Sequence, residues 1–151
     1  MNENGIPVEI KAWAAGFWEG EGSVTIARRL SKRSRHGFAY RLRVRVSQTK
    51  VKPLQLLQGY WGGSLSSRKR FGRTQETYDW AISCRLGAKF LNDIYPYLKF
   101  RHRLAEIGLE LADTMSNGNQ LVTEGQFKKR ETLRQEVFEL NGYYRRKHGE
   151  S

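Results

Sequence analysis

Residues 12–23, Ala-Trp-Ala-Ala-Gly-Phe-Trp-Glu-Gly-Glu-Gly-Ser, decide the fold of this chain. The alanines favour a helix, and Gly22 is placed to stop it just after its last turn. At about 100° per residue, Gly16 and Gly20 share one face, with Ala12 and Trp13 beside them. Such small-residue spacing leaves room for another backbone to approach closely. The opposite face is apolar and can pack on the chain's own core; it carries Ile10, Ala14, Phe17 and Trp18.

Two carboxylates, Glu19 and Glu21, close this predicted helix. Because the C-terminal end of a helix carries partial negative charge, each is locally unfavourable by roughly 0.3–1 kcal/mol. A local rule broken in this way often marks a working site. Carboxylates beside a free backbone carbonyl are good ligands for a hard cation such as Mg²⁺. The alternative is an amphipathic helix that ends in a surface Glu-Gly-Glu turn.

Residues 15–22, Ala-Gly-Phe-Trp-Glu-Gly-Glu-Gly, resemble the LAGLIDADG motif of homing endonucleases and intron maturases. Ala14 stands in place of the first Leu, Glu occupies both Asp positions, and Gly20 replaces the Ala between them. A weaker resemblance extends from about residue 8 to residue 115. The motif occurs once in the sequence. In this respect the chain resembles the homodimeric branch of the family, in which the motif helices of two chains pack against each other. The interface expected from this resemblance consists of Ala12, Trp13, Gly16 and Gly20.

Composition points to a polyanionic partner. The chain has 151 residues with 27 Lys+Arg against 15 Asp+Glu, a net charge of +12. This length suits a single domain, 1–151, whose ends, 1–6 and 143–151, we expect to be flexible. One cysteine excludes an intramolecular disulfide framework and fits a reducing, intracellular compartment. No signal peptide is visible, and no stretch approaches 18 consecutive apolar residues, so we expect no membrane association.

Hydrophobic periodicity predicts an α+β domain of the LAGLIDADG type, ordered αββαββα, with a four-stranded antiparallel sheet and helices on one face. The opening helix is expected to end at about Gly20. Strands are expected at 23–29, 38–48, 64–70 and 74–83, and further helices at 54–60, 87–95, 100–115 and 123–141. In the last strand, Tyr78, Trp80 and Ile82 point inward while Thr77, Asp79 and Ala81 point outward. Trp61, Tyr78 and Trp80 are expected in the core rather than as platforms on which bases stack.

The predicted sheet carries an unusual charge pattern, because residues 22–75 contain no Asp or Glu. Arg41, Arg43 and Arg45 alternate along one face of a strand, where like charges repel and need an anion to offset them. The DNA backbone is the natural anion, and arginine on a two-stranded ribbon can also read guanine in the major groove. We expect strand positions to specify bases and the hairpin tips to hold phosphates. The predicted DNA-contact residues are Thr25, Arg29, Arg33, Arg41, Arg43, Arg45, Ser47, Arg68, Arg70 and Lys99.

The resemblance also implies a metal-dependent site. Glu21 matches the family's metal-binding acid, with the Gly20 carbonyl as a second ligand for Mg²⁺ or another divalent cation. One such acid per chain is too little for a two-metal site, whereas two chains joined along the glycine face would bring both copies of Glu21 together. Glu19 matches the other acid, which in the family more often supports the helix pair than binds metal.

Three further residues complete the implied catalytic set. Gln48 resembles the family's Gln beside the attacking water, and Lys52 stands where the family often has a basic side chain. Arg101 resembles the family's pocket Lys, with Lys99 as a nearby alternative. Arginine keeps the charge of lysine but not its deprotonation chemistry, so charge stabilisation is the role expected of Arg101.

The sequence therefore predicts a homodimeric, site-specific endonuclease that hydrolyses both strands of double-stranded DNA at a long pseudo-palindromic site. An intron RNA maturase, or a DNA-binding protein without cleavage, is the alternative, and a general basic nucleic-acid protein is a third reading. His36, His102 and His148 have no ligand spacing with Cys84, which argues against a zinc site. Residues 20–25 lack the third glycine of a dinucleotide-binding loop, and no GxSxG or P-loop motif is present.

Overall fold

The computed structural model describes residues 5–34, 36–69, 72, 75–115 and 123–147, with side chains up to residue 142. The described residues form five helices and four strands, in an order that confirms the predicted α+β class. These elements are α1 (Val8–Glu21), β1 (Gly22–Leu30), β2 (Phe38–Gln48), α2 (Val51–Trp61), β3 (Ser64–Arg68), β4 (Thr77–Ser83), α3 (Cys84–Ile94), α4 (His102–Asp113) and α5 (Glu124–Lys147). A single 3₁₀ turn over Tyr95–Tyr97 separates α3 from α4.

The four strands form one antiparallel sheet in the order β1-β2-β4-β3. Strand β2 begins and ends where the alternation of its residues predicts. Its apolar side chains Tyr40, Leu42, Val44 and Val46 are buried on one face, and Arg41 and Arg43 are exposed on the other. The sheet therefore has an apolar inner face and a basic outer face.

The core is one connected cluster of buried side chains that joins the inner face of the sheet to all five helices. As predicted, Trp80 is fully buried and Trp61 is 5% exposed. Both indoles pack against the ring of Phe90, with centroids 5.0 and 5.1 Å away. The Nε1–H of Trp61 also donates to the buried carboxylate of Asp93 at 3.0 Å, which satisfies the polar atom of a core indole.

Two helices begin earlier than predicted. Helix α2 begins at Val51 rather than 54, because Pro53 lies in its first turn, where an N–H has no partner within the helix. Helix α3 begins at Cys84, directly after β4, rather than at 87. Cys84 makes this switch with a φ of 53°, a left-handed conformation that glycine usually supplies. Because neither glycine nor proline occupies this position, the sequence does not predict the turn.

The ends of the chain and of the second hairpin also differ from the prediction. Helix α5 continues to Lys147 instead of ending at 141. Ile6, assigned to the flexible lead-in, is 4% exposed and belongs to the core. Strands β3 and β4 are shorter than predicted, ending at Arg68 and beginning at Thr77. Within the described ranges, no helix combines the length and hydropathy needed to cross a bilayer.

Candidate active site and nucleic-acid interface

Helix α1 has a packed face and a bare face. Ala14, Ala15 and Trp18 are fully buried against the core. Gly16 and Gly20 are exposed, and a Cβ atom added to either would meet nothing within 4 Å. Ala12 is exposed beside them, and Trp13 is half-buried, stacked on Phe17 with ring centroids 5.4 Å apart. The division into two faces is as expected, while the packing of a second chain on the bare face stays a prediction.

The motif's last glycine, Gly22, joins α1 to β1 without a loop. Its N–H donates to the carbonyl of Trp18 and ends the helix. A Cβ atom at this position would lie 2.2 Å from Cδ1 of Trp18 and 2.7 Å from its carbonyl oxygen. The backbone of Gly22 is extended, with a φ of −102°, which other residues also adopt. Glycine is therefore required here by the close packing against Trp18, and not by a left-handed backbone conformation.

Glu19 is a buried carboxylate that connects the end of α1 to the segment before α4. Its Oε2 accepts hydrogen bonds from the backbone N–H groups of Lys99 and Phe100, both at 2.8 Å, and of Arg101 at 3.0 Å. Burial alone raises the pKa of a carboxyl group, but these three donors and the charge of His102 outweigh it, so the pKa of Glu19 is lowered. Glu19 therefore holds the 99–101 segment in place.

Arg101 reaches back from this segment to the α1–β1 junction. Its Nη1 donates to the carbonyl oxygen of Gly22 at 2.6 Å, and the side chain is half-buried. Of the two basic residues considered for the pocket, Arg101 thus contacts the residue next to Glu21, whereas Lys99 is exposed. The Glu19 carboxylate thus binds the backbone of the 99–101 segment, and the Arg101 side chain binds the backbone of Gly22. Both contacts hold this segment against the α1–β1 junction.

Glu21 and Gly20 lie at the exposed end of α1. The last carbonyl groups of a helix have no partner within it, so the Gly20 oxygen is a backbone acceptor at the same place as the Glu21 carboxylate. Within the described residues, no three His, Cys, Asp or Glu side chains are grouped closely enough to hold a metal ion. A metal centre built on Glu21 would thus need ligands beyond the described side chains of one chain.

Gln48 is the last residue of β2, and it lies at the same end of the sheet as the α1–β1 junction. Gly22 pairs with Val46, so Gln48 lies two residues beyond, level with the end of α1. Its Oε1 accepts from the N–H of Thr49 at 2.8 Å and from the Thr49 hydroxyl at 3.1 Å, which holds the amide in one orientation. Lys52 is exposed in the first turn of α2, and its place in the catalytic set stays a prediction.

Most of the predicted DNA-contact side chains lie on the outer face of the sheet. Arg43 stands opposite Thr25 and Arg41 opposite Ala27, and all of these residues are exposed. Arg29 is exposed further along β1. Arg33 is exposed in the turn between β1 and β2, and Arg70 lies outside the described residues. The outer face of β1 and β2 therefore presents the basic surface that the alternation predicts.

Asp79 changes the prediction for the neighbouring strands. It is 6% exposed on the outer face of β4, opposite Ser47 on β2 and Ser66 on β3. Its Oδ1 accepts from the Ser47 hydroxyl and lies 3.1 Å from Nη2 of Arg45, and its Oδ2 lies 2.9 Å from Nε of Arg68. The expectation that Arg45 needs an external anion is therefore wrong, since Asp79 supplies the negative charge.

The alternation of β4 predicts that Asp79 lies on the outer face, but it does not predict the partners of its carboxylate. Asp79 lies beyond the acid-free stretch, and the register that sets it opposite Ser47 depends on the pairing of β2 with β4, strands separated by α2 and β3. Burial alone raises the pKa of Asp79, yet the Ser47 hydroxyl and the two guanidinium groups outweigh it and lower that pKa. The carboxylate is therefore charged at neutral pH.

Comparison with known proteins identifies the family. Residues 14–105 match the model of the LAGLIDADG endonucleases, a range that covers more than half of the chain. The chain belongs to the LAGLIDADG endonuclease family. This membership confirms the resemblance of residues 15–22 and the predicted enzyme class, an endonuclease. Among curated proteins, no significant relative matches the chain.

Solved LAGLIDADG structures share this fold. The homing endonuclease I-CvuI, in complex with its target in the presence of Ca, is 20% identical over 88% of this chain and 82% of its own, with a TM-score of 0.71. The archaeal intron-encoded homing endonuclease I-Vdi141I, complexed with DNA, is 19% identical over 85% and 82%, with a TM-score of 0.70. The homing endonuclease I-TnaI is 18% identical over 84% and 86%, with a TM-score of 0.67.

The LAGLIDADG helix thus organises a compact junction in this chain. Where α1 enters β1, the Arg101 guanidinium binds the carbonyl of Gly22, the residue that follows Gly20 and Glu21. The pairing of β1 with β2 places Gln48 at the same end of the sheet. The basic outer face of the sheet begins at this end. Individual catalytic, metal-binding and DNA-contact roles remain predictions.

Proposed function

We propose that this chain is a homodimeric, site-specific endonuclease that hydrolyses both strands of double-stranded DNA at a long pseudo-palindromic site. The observation that carries the proposal is the junction at the end of α1. There an exposed carboxylate, Glu21, adjoins a residue whose carbonyl binds the Arg101 guanidinium at 2.6 Å. Phosphodiester hydrolysis needs both an acidic metal ligand and a cation near the developing charge.

The sheet supports recognition of a long DNA site. Strand β2 has 11 residues. At about 3.3 Å per residue the strand spans roughly 36 Å, which corresponds to about ten base pairs. Two copies related by a two-fold axis would then cover about twice that length, and their symmetry would impose a roughly palindromic sequence. The exposed side chains of Thr25, Arg41 and Arg43 lie along this surface.

The donor set fits a hard divalent cation. Glu21 offers an exposed carboxylate and Gly20 a backbone carbonyl, and both are oxygen ligands of the kind that Mg²⁺ binds. Because one chain supplies few ligands, we propose that the Glu21 side chains of two chains share the centre across the Gly16/Gly20 face. A bound Mg²⁺ would stabilise charge on the phosphate and lower the pKa of a water molecule.

Side chains of this chain stabilise the developing charge and orient the attacking water. The guanidinium of Arg101 places a positive charge beside the residue that follows Glu21, and this charge stabilises the negative charge that develops on the phosphoryl oxygens. The amide of Gln48 orients the attacking water, and Lys52 adds positive charge on the side of α2. Glu19 acts through Arg101, because it fixes the backbone from which that side chain extends.

Selection of cleaved sites from a random duplex library in Mg²⁺ tests the proposal. We expect double-strand cuts within one long, roughly palindromic consensus. Glu21→Gln should abolish cutting and leave binding of that consensus nearly intact, since an isosteric amide removes the anionic ligand alone. Glu9→Gln is the matched control, because Glu9 is exposed at the other end of α1. Cutting by the Glu21 variant at the rate of the wild type would contradict the role of this residue.

The cellular compartment is part of the same proposal. Cys84 is free and exposed. An exposed thiol persists where the surroundings are reducing, which agrees with an intracellular site of action, where the DNA substrate also lies.

A further inference from the structure

The outer face of the sheet holds its arginines in two different ways. Arg41 and Arg43 are exposed on β2, and within the described residues neither forms an ion pair. Arg45 and Arg68 instead share one carboxylate, that of Asp79, at 3.1 and 2.9 Å. Asp79 is 6% exposed, so the guanidinium groups and the strands around it shield it from solvent.

The geometry of the Arg68 contact has a consequence for recognition. Asp79 binds the Nε–H of Arg68, the donor closest to the side-chain stem. Among the described residues the two terminal nitrogens of that guanidinium form no ion pair. They can therefore act as a fork, which is the arrangement that binds the O6 and N7 atoms of guanine. The Arg68 side chain is 43% exposed, so the fork is accessible from the outer face.

The shared carboxylate also changes what the two arginines prefer to bind. An unpaired arginine gains most from a phosphate, and it can rotate to reach one. A guanidinium that is paired with Asp79 carries an offset charge and a fixed direction, so its attraction to phosphate is weaker and its orientation is set before DNA arrives. Base recognition depends on such orientation, whereas phosphate binding depends mainly on charge.

We propose that Asp79 is a specificity-positioning residue, which holds Arg68 as a reader of base edges and keeps both Arg45 and Arg68 from acting as phosphate clamps. The inference rests on the proposed function, since it requires DNA on this face of the sheet. Arg41 and Arg43, which lack such a carboxylate, contribute more of the affinity that is independent of sequence.

Comparison of Asp79→Asn with Glu76→Gln tests the inference. Both substitutions remove one negative charge near the same end of β4, but Glu76 is exposed and contacts neither arginine within the described residues. Sites bound by each variant and by the wild type are selected from a random duplex library, with Ca²⁺ in place of Mg²⁺. The affinity for a selected site and for unrelated DNA is then measured against salt concentration.

We expect Asp79→Asn to lose preference at a small set of base pairs in each half-site, on the order of 10- to 100-fold per position. Its binding to unrelated DNA should strengthen, with a salt dependence steeper by about one to two phosphate contacts. Glu76→Gln should keep every base preference. Preference retained at all positions by Asp79→Asn, or the same uniform change in both variants, would overturn the inference.

Arg68→Lys provides the second arm, and it holds even if Asp79→Asn does not fold. Arg68 is exposed at the end of β3, and lysine keeps its charge without the fork. We expect this variant to lose part of the same set of base preferences while its binding to unrelated DNA stays within about twofold. Unchanged base preferences would refute the assignment. A wild-type protein that selects no sequence at all would refute the proposed function instead, so the two failures are distinguishable.

Discussion

Glu19 and Glu21 are two residues apart in the motif and have opposite surroundings. Glu19 is 3% exposed and binds three consecutive backbone N–H groups, whereas Glu21 is exposed at the end of α1. The sequence predicts that both acids depart from the preference of a helix terminus. It does not show where Glu19 finds its donors, because these lie about 80 residues further along the chain. The resemblance predicts that Glu19 is the supporting acid, and only the folded chain shows which groups it binds.

Replacement of Glu19 by Gln should make stability less dependent on pH. The pKa of Glu19 is lowered from 4.5 in the folded chain. A carboxyl with a lowered folded pKa stabilises the fold above its unfolded pKa, and this contribution is lost as the pH falls through the folded value. At pH 7 we expect Glu19→Gln to lower the free energy of unfolding by about 1.5–3 kcal/mol, the range for hydrogen bonds to a charged group.

Urea denaturation of wild type and Glu19→Gln at pH 7 and at pH 3 measures this difference. The difference in the free energy of unfolding between the two proteins should be smaller at the lower pH. Glu139→Gln is a suitable comparison, because Glu139 is exposed on α5. A gap that stays constant over this range would show that the charge of Glu19 does not contribute.

At the scale of elements, the joint between α1 and β1 depends on one glycine. An added Cβ at Gly22 would overlap both the ring and the carbonyl of Trp18, at 2.2 and 2.7 Å, and Trp18 is fully buried. Since the helix passes into the strand without a loop, neither partner can move alone. We expect Gly22→Ala to lower the free energy of unfolding by about 1–3 kcal/mol, as overpacking in a core does.

Thermal or urea unfolding compares Gly22→Ala with Gly59→Ala. Gly59 lies within α2, and a Cβ atom there would meet nothing within 4 Å. Alanine at this position should stabilise the protein by about 0.5–1 kcal/mol through helix propensity. Equal effects of the two substitutions would mean that the contact with Trp18 does not constrain the joint.

The accuracy of the sequence-based prediction also differs between elements. The bounds of β2 are predicted correctly because alternating apolar and basic residues, such as Leu42 and Arg43, report local geometry directly. The start of α3 is missed because Cys84 turns the chain with a φ of 53° and no turn residue marks it. The ion pairs of Asp79 are missed because they depend on the register between β2 and β4, which no local pattern encodes.

At the scale of the whole molecule, the basic face of the sheet and the bare face of α1 meet at the α1–β1 junction. The basic outer face of the sheet begins where β1 leaves α1, and the bare face of α1 runs to the same junction. The motif and the strand periodicity together predict this arrangement from the sequence. Gly16 lowers helix propensity and lies on this bare face, where an added Cβ atom would meet nothing within 4 Å.

The mass of the particle that cuts the target duplex decides whether two chains share one catalytic centre. Light scattering of wild type and Gly16→Leu, each bound to the selected site, supplies this measurement. We predict two copies of the 17.6 kDa chain per duplex for the wild type, with both strands cut in Mg²⁺. Gly16→Leu should fold normally, because Gly16 is exposed and a Cβ atom there would meet nothing within 4 Å. It should nevertheless fail to pair and to cut both strands. A single 17.6 kDa chain that cuts both strands of its site would contradict the shared centre.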